Sequence, residues 1–276
     1  MTKDLKHINQ FALSIRQDVL SLAYKCNGPA HIGGSLSIAE ILAVLYGKVL
    51  RLDPKNPNWT DRDRFILSKG HAVLALYAAL CKVGFFDRET LFTFKVNGSD
   101  LIAHPVMNSH LGIESSNGSL GHGLSFSTGI AAALKKKSMV GNVYVLLGDG
   151  ECEEGSVWEA AMLARKLDLE NLTCIIDSNG MQSDGPVSSI NSHEWLEKRW
   201  QSFGWETENV DGHNASDLVD ALSKPRSTNP RAIIARTVKG KGVSFMEHNN
   251  VWHHNRITED FFRIAMNELE NDSAGY

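Results

Sequence analysis

Cysteine is scarce in this chain and never paired in sequence. Cys26, Cys81, Cys152 and Cys174 form no C-x-x-C motif, so neither a disulfide framework nor a structural zinc site is expected; they read as reduced thiols. Basic runs are equally few. No Lys/Arg run exceeds the three lysines at 135–137, and the formal net charge is -4, which argues against nucleic acid as a partner. The N-terminus, MTKDLKHINQ, has no apolar signal-peptide core, and no uninterrupted apolar stretch approaches bilayer length. A soluble, unexported, cytoplasmic protein with no membrane partner is the expectation. Two nucleotide motifs are missing as well. A dinucleotide fingerprint would need glycine at 153, where Glu153 stands, and no Walker-A loop occurs.

What is present is an alternation of two periodicities. Apolar residues recur at helical spacing over 5–25, 37–50 and 71–84, and again over 123–137, 155–167, 193–203 and 214–223. Short β-branched or aromatic runs lie between them at 64–68, 143–148, 172–177, 205–210 and 231–237. This order predicts an α/β fold: a parallel sheet of about five strands with helices on both faces, and ligands bound beyond the strand C-terminal ends. One domain covering 1–276 is expected, with a flexible tail from about 270. Two aperiodic stretches, 97–122 and 238–255, are too long for idle connectors and read as functional loops.

The strand at 143–148 runs into GDGECEEG, and the strand at 172–177 runs into SNG. Asp149 therefore stands at one strand tip, beside the free N–H groups of a helix start. Asn179 and a carbonyl just beyond it stand at a neighbouring tip. One carboxylate with two neutral oxygens suits a hard cation such as Mg²⁺, whose remaining positions go to water and phosphate oxygens. The competing reading of each motif alone is plain: Glu151, Glu153 and Glu154 complement a helix dipole, and SNG is ordinary turn chemistry.

Taken together, GDG at 148–150 and Asn179 about thirty residues later resemble the thiamine-diphosphate motif, with Ser178 where that motif often has a second asparagine. The resemblance implies that Asp149, Asn179 and the Met181 carbonyl bind Mg²⁺, with Ca²⁺ or Mn²⁺ as substitutes, and that Gly150 and Glu151 lie against the diphosphate. The chain has eleven histidines, several of them in small-residue loops. From about residue 10 to 256 it is similar to the N-terminal, diphosphate-binding region of transketolase. HIGGS carries His31, SKGH carries His71, AHP carries His104 (with Ala103 where glycine is usual), and VWHH carries His253.

By that resemblance His31, His71, His104 and His253 orient the donor sugar and exchange protons with it, His71 and His253 also touching the cofactor. Gly118 and Leu120 of GSLGHG approach its aminopyrimidine; His122 in that loop stands where glutamine is commoner. Glu154 matches a glutamate in a carboxylate relay between two active sites, with a capping acid as its alternative. The activating glutamate of the pyrimidine-binding domain has no counterpart here. The resemblance thus implies one subunit of a split transketolase, inert alone, joined by a separately encoded C-terminal subunit in an α2β2 heterotetramer. That enzyme would transfer a two-carbon ketol unit from a ketose to an aldose, sugar phosphates among its substrates. A deoxyxylulose phosphate synthase or dehydrogenase E1 subunit, and a noncatalytic cofactor-binding module, are the alternatives.

Overall fold

The computed structural model describes residues 3–190, 195–225 and 227–273. The first half holds α1 (Lys3–Lys25), α2 (Gly33–Leu36), α3 (Ala39–Val44), β1 (Arg64–Leu67), α4 (Val73–Val83), α5 (Arg88–Leu91) and α6 (His122–Lys136). There follow β2 (Val143–Gly148), α7 (Gly155–Lys166), β3 (Leu172–Ser178), the short strands β4 (Met181–Gln182) and β5 (Gly185–Pro186), and α8 (Val187–Ile190). The chain then continues through α9 (Leu196–Ser202), β6 (Glu206–Asp211), α10 (Ala215–Leu222), β7 (Arg231–Arg236) and α11 (Glu259–Ser273).

Five strands form one sheet in the order β1-β2-β3-β7-β6, every pairing parallel; β4 and β5 make a separate antiparallel hairpin. Because strand side chains alternate between faces, each strand feeds two cores. Phe65, Leu67, Tyr144, Leu146, Ile175 and Ile233 pack with residues of α1, α3, α4, α10 and α11. Ile66, Val145, Leu147, Cys174, Ile176 and Ile234 pack on the other face with α6, α7 and α9. The expected parallel sheet with helices on both faces is what the chain adopts, and all four strands that carry the site point their C-terminal ends at one edge.

Some local expectations give way to tertiary contacts. The helix read over 37–50 begins two residues later, as α3 (Ala39–Val44), and closes in a π-helical turn over Leu45–Val49. Ser37 ends α2, its N–H bonded to the Gly33 carbonyl at 3.2 Å and its hydroxyl 3.1 Å from the Gly34 carbonyl and 2.7 Å from Asp177 Oδ2. The helix read over 193–203 is present as Leu196–Ser202, while residues 193–194 lie outside the described residues. Where sequence suggests a tail, α11 continues to Ser273, and residues 274–276 lie outside the described residues. The 97–122 stretch is irregular apart from a 3₁₀ turn at Ser109–Leu111. It folds down on the β1 edge, where a Cβ on Gly70 would come within 2.6 Å of the Asn117 carbonyl oxygen. Only glycine permits that approach, which brings the loop against His71.

Candidate functional site

A cavity of about 250 Å³ opens at the C-terminal edge of the sheet. Lys69 and His71 enter it after β1, Asp149 to Glu151 after β2, Asn179 and Met181 after β3, and Lys239 after β7. His31 comes from the segment before α2, His104, Gly118 and Leu120 from the 97–122 loop, and His253 from the 238–255 loop. All the residues expected at the site except Glu154 therefore line one space. Glu154 is exposed at the start of α7, outside the cavity, and makes no side-chain cap hydrogen bond. His122 is also exposed and lies outside that lining.

The floor is a closed polar network. Asp177, fully buried at the end of β3, accepts hydrogen bonds from Ser37 Oγ at 2.7 Å and Asn179 Nδ2 at 2.8 Å, and also from the Lys69 ammonium and the Thr237 hydroxyl. Burial alone would raise its pKa, but the Lys69 charge and these donors hold the carboxyl below its ordinary value. Lys69 is buried too, and its ammonium also donates to the Gly34 carbonyl at 2.9 Å. Glu151 accepts from Ser68 Oγ at 2.5 Å, Gly121 N at 2.8 Å and Gly148 N at 3.0 Å. Its carboxylate thus ties β1, α6 and the tip of β2 together, and burial raises its pKa despite those bonds.

Above the floor stand the two strand tips. Asp149 accepts from Gly150 N at 2.8 Å and from Gly180 N at 2.6 Å, linking the loop after β2 to the loop after β3. Asn179 Oδ1 accepts from Met181 N at 3.1 Å, an Asx turn that fixes the side chain. Lys239 Nζ lies 3.3 Å from the Met181 carbonyl oxygen and 3.5 Å from that of Gln182. Burial, with the nearby Lys69 charge, lowers the Lys239 pKa to about 8, against the opposing pull of Asp149 and Asp177. Lys239 thus stands against these carbonyls although its surroundings, on balance, disfavour its charge. Among the described residues no group of three or more His, Cys, Asp or Glu side chains could hold a metal ion. The donors at the tips are one carboxylate, one amide and one carbonyl, a sparse oxygen set that fits Mg²⁺ and poorly fits Zn²⁺.

The wall is made of imidazoles. The His31 ring lies 5.4 Å from those of His71 and His253 and 5.7 Å from that of His104, centroid to centroid; His71 and His253 are 5.4 Å apart. His254, outside the cavity lining, brings its ring within 4.3 Å of His31. Burial first, and neighbouring positive charge after it, lowers the pKa of each of these four rings. Burial, then the charges of His254, His253 and His104, lowers His31 to about 3. Burial followed by Lys239 and Lys69 lowers His253 to about 4, and burial with Lys69 pushes His71 well down. His104 is lowered by burial and by His254.

Sequence reasoning missed Lys69, Asp177 and Lys239. A signal existed for Asp177, a single acid closing the apolar run LTCIID, because a carboxylate there must find a buried cation. Nothing local marks Lys239.

Such a domain, an open parallel α/β sheet with a polar cavity at its carboxyl edge, belongs among the doubly wound cofactor binders. The family model described as "Transketolase, thiamine diphosphate binding domain" matches residues 10–269, so the chain belongs to that family. It is 43% identical over 249 residues to the 6-deoxy-6-sulfo-D-fructose transketolase subunit SqwG of a Clostridium species, covering 90% of each chain. It is 41% identical over 256 residues to one of the subunits named for apulose-4-phosphate transketolase in Phocaeicola vulgatus, covering 92% of this chain and 90% of that one. The crystal structure of transketolase from Campylobacter jejuni superposes with a TM-score of 0.88 at 31% identity, over 98% of this chain and 43% of that one. The chain thus spans less than half of that transketolase and about nine-tenths of the two subunits.

Proposed function

We propose that this chain is the diphosphate-binding subunit of a two-subunit transketolase. The observation that carries the reading is the convergence of His31, His71, His104 and His253 on the cavity that also holds Asp149, Asn179 and Met181. Its similarity along nearly their whole length to proteins named as transketolase subunits supports a separate partner subunit. An α2β2 assembly is part of the proposal. Because the two named substrates are ketoses carrying a sulfonate or a phosphate, we assign this chain's donor to the same anionic ketose class, sugar phosphates included.

Asp149, Asn179 and the Met181 carbonyl would hold Mg²⁺, and through it the diphosphate, while Gly150 lets the chain pass close and Lys239 adds positive charge. Glu151 acts behind them, keeping the β2 tip in place. Thiamine diphosphate supplies the nucleophilic carbon that carries the two-carbon unit. The histidines do the proton work. A neutral imidazole offers one donor and one acceptor, so a set held neutral can accept a proton from a sugar hydroxyl at one ring and donate to a carbonyl oxygen at another. Their packing also excludes water from the cavity wall and orients the sugar.

Calorimetry of the chain with its partner subunit tests the reading. Thiamine diphosphate uptake should require Mg²⁺ and be lost in Asp149→Ala. His71→Ala should keep uptake yet lower turnover by about 100-fold. Uptake that survives Asp149→Ala, or turnover indifferent to His71, would remove the respective residue from its role.

A further inference from the structure

Behind the turn that carries Lys239 lies a second polar network, contributed by three separate elements and absent from the cavity lining. Glu40 of α3 is buried, and Arg16 of α1 pairs with both of its oxygens, Nη1 to Oε1 and Nη2 to Oε2, each at 2.6 Å. Burial would raise the Glu40 pKa, but Arg16 and His213 bring it down to about 2. His213 follows β6; its own N–H is bonded to Asp211 Oδ1 at 2.9 Å, and its neighbour Asn214 caps α10. The His213 ring therefore has a fixed base. Its Nδ1 lies 3.0 Å from Glu40 Oε2, and its Nε2 lies 2.8 Å from the backbone nitrogen of Val238. A backbone N–H only donates, so Nε2 must be the acceptor and the ring proton sits on Nδ1, donated to Glu40.

The same network reaches the other end of the turn. Arg16 Nε donates to the Lys241 carbonyl at 3.0 Å. Between these two anchors the chain closes on itself, Lys241 N to Val238 O at 3.2 Å, with Gly240 at φ +86 and its N–H bonded to the Gly33 carbonyl at 3.0 Å. Lys239 stands in the middle of this turn with its ammonium against the Met181 carbonyl. A Cβ on Gly33 would touch the Lys239 stem at 3.1 Å, so the side chain leaves the turn through a narrow gap.

We propose that Arg16, Glu40 and His213 form a clamp on the 238–241 turn, and are positioning residues that set where the Lys239 ammonium stands in the coenzyme cavity. The clamp grips both ends of the turn and, among the described residues, makes no hydrogen bond to a residue of the cavity lining, so its effect on the diphosphate passes through the turn. This rests on the proposed function insofar as the cavity is the diphosphate site.

His213→Ala is the first probe, since it removes one anchor and leaves the Arg16–Glu40 pair intact. His213→Gln is the conservative one, because its amide oxygen can reach Val238 N in place of Nε2. Two readouts apply to the full chain with its partner subunit. Amide exchange at Val238, measured without ligand, should accelerate at least about tenfold in His213→Ala and return toward wild type in His213→Gln. Coenzyme affinity with Mg²⁺ should fall about tenfold in His213→Ala, the scale of an outer-shell loss. It should fall no further when His213→Ala is added to Lys239→Met, because an effect transmitted by Lys239 vanishes with it. Losses that add in the double variant, or Val238 exchange unchanged by His213→Ala, would overturn the clamp. A wild-type complex that takes up no coenzyme would defeat the proposed function instead, and Val238 exchange would then decide the clamp by itself.

Discussion

The floor and the wall of the cavity treat buried polar groups in opposite ways. On the floor, Asp177 meets four donors and Glu151 three. On the wall, imidazoles face one another, and His253 Nδ1 is a buried atom with no hydrogen-bond partner among the described residues. A satisfied network is rigid and specifies one arrangement. Neutral, under-partnered imidazoles keep donor and acceptor capacity for a ligand that has yet to arrive. The difference separates residues that hold the site from residues that act in it.

Asp177→Ala is the substitution with the largest expected effect on that contrast. It removes the partner of a buried ammonium, and breaking such a pair costs about 3–5 kcal/mol. Urea unfolding at neutral pH should show a loss of that size. The pH dependence has a definite sign. Because the Asp177 pKa is depressed in the folded chain, its stabilisation is present above the ordinary carboxylate range and disappears as pH falls through the depressed value. An Asp177→Ala variant as stable as wild type would mean that the floor is no more structural than the wall.

The wall has a smaller effect with its own pH window. Unfolded, His31 takes up a proton near pH 6.5, whereas folded it stays neutral down to about 3. Between those values the unfolded chain binds more protons, so stability falls as pH drops through this window and is unaffected above it. His31→Gln should flatten the dependence of the urea midpoint on pH between about 3 and 6.5 while changing neutral-pH stability little. A slope unchanged by the substitution would show that the His31 ring is not kept neutral by its surroundings.

Much of this architecture is legible in sequence because its signals are local. The runs at 143–148 and 172–177 are apolar and β-branched, with turn residues at their ends, and both strands and both tips stand where those signals point. The histidine loops are legible for a different reason, their resemblance to a family pattern. What escapes is set by distant partners. Ser37, at the end of α2, is tied by its hydroxyl to Asp177, 140 positions away. His213 has a role only because Val238, 25 positions on, returns to it in the next strand's loop. The last helix, α11, sets one stripe against the core: Ala265 and Leu269 are fully buried, and Phe262 and Met266 pack beside them. The spacing of Phe262, Ala265, Met266 and Leu269 is itself a helical signal.

Glu154 belongs to neither wall nor floor, and its substitution should have the smallest effect on the isolated chain. It is exposed, and its carboxylate makes no cap bond at the start of α7, so Glu154→Ala should move the urea-derived stability by no more than about 0.5 kcal/mol. The proposed role at a contact between active sites makes a different demand. Turnover of the assembled enzyme should fall severalfold in Glu154→Ala while the isolated chain unfolds as wild type does. If stability falls instead and turnover per folded molecule stays constant, Glu154 is a helix-start acid and joins the residues that only hold the structure. An exposed carboxylate that matters only in the assembly would mean that part of the site's chemistry lies on a surface this chain presents to another.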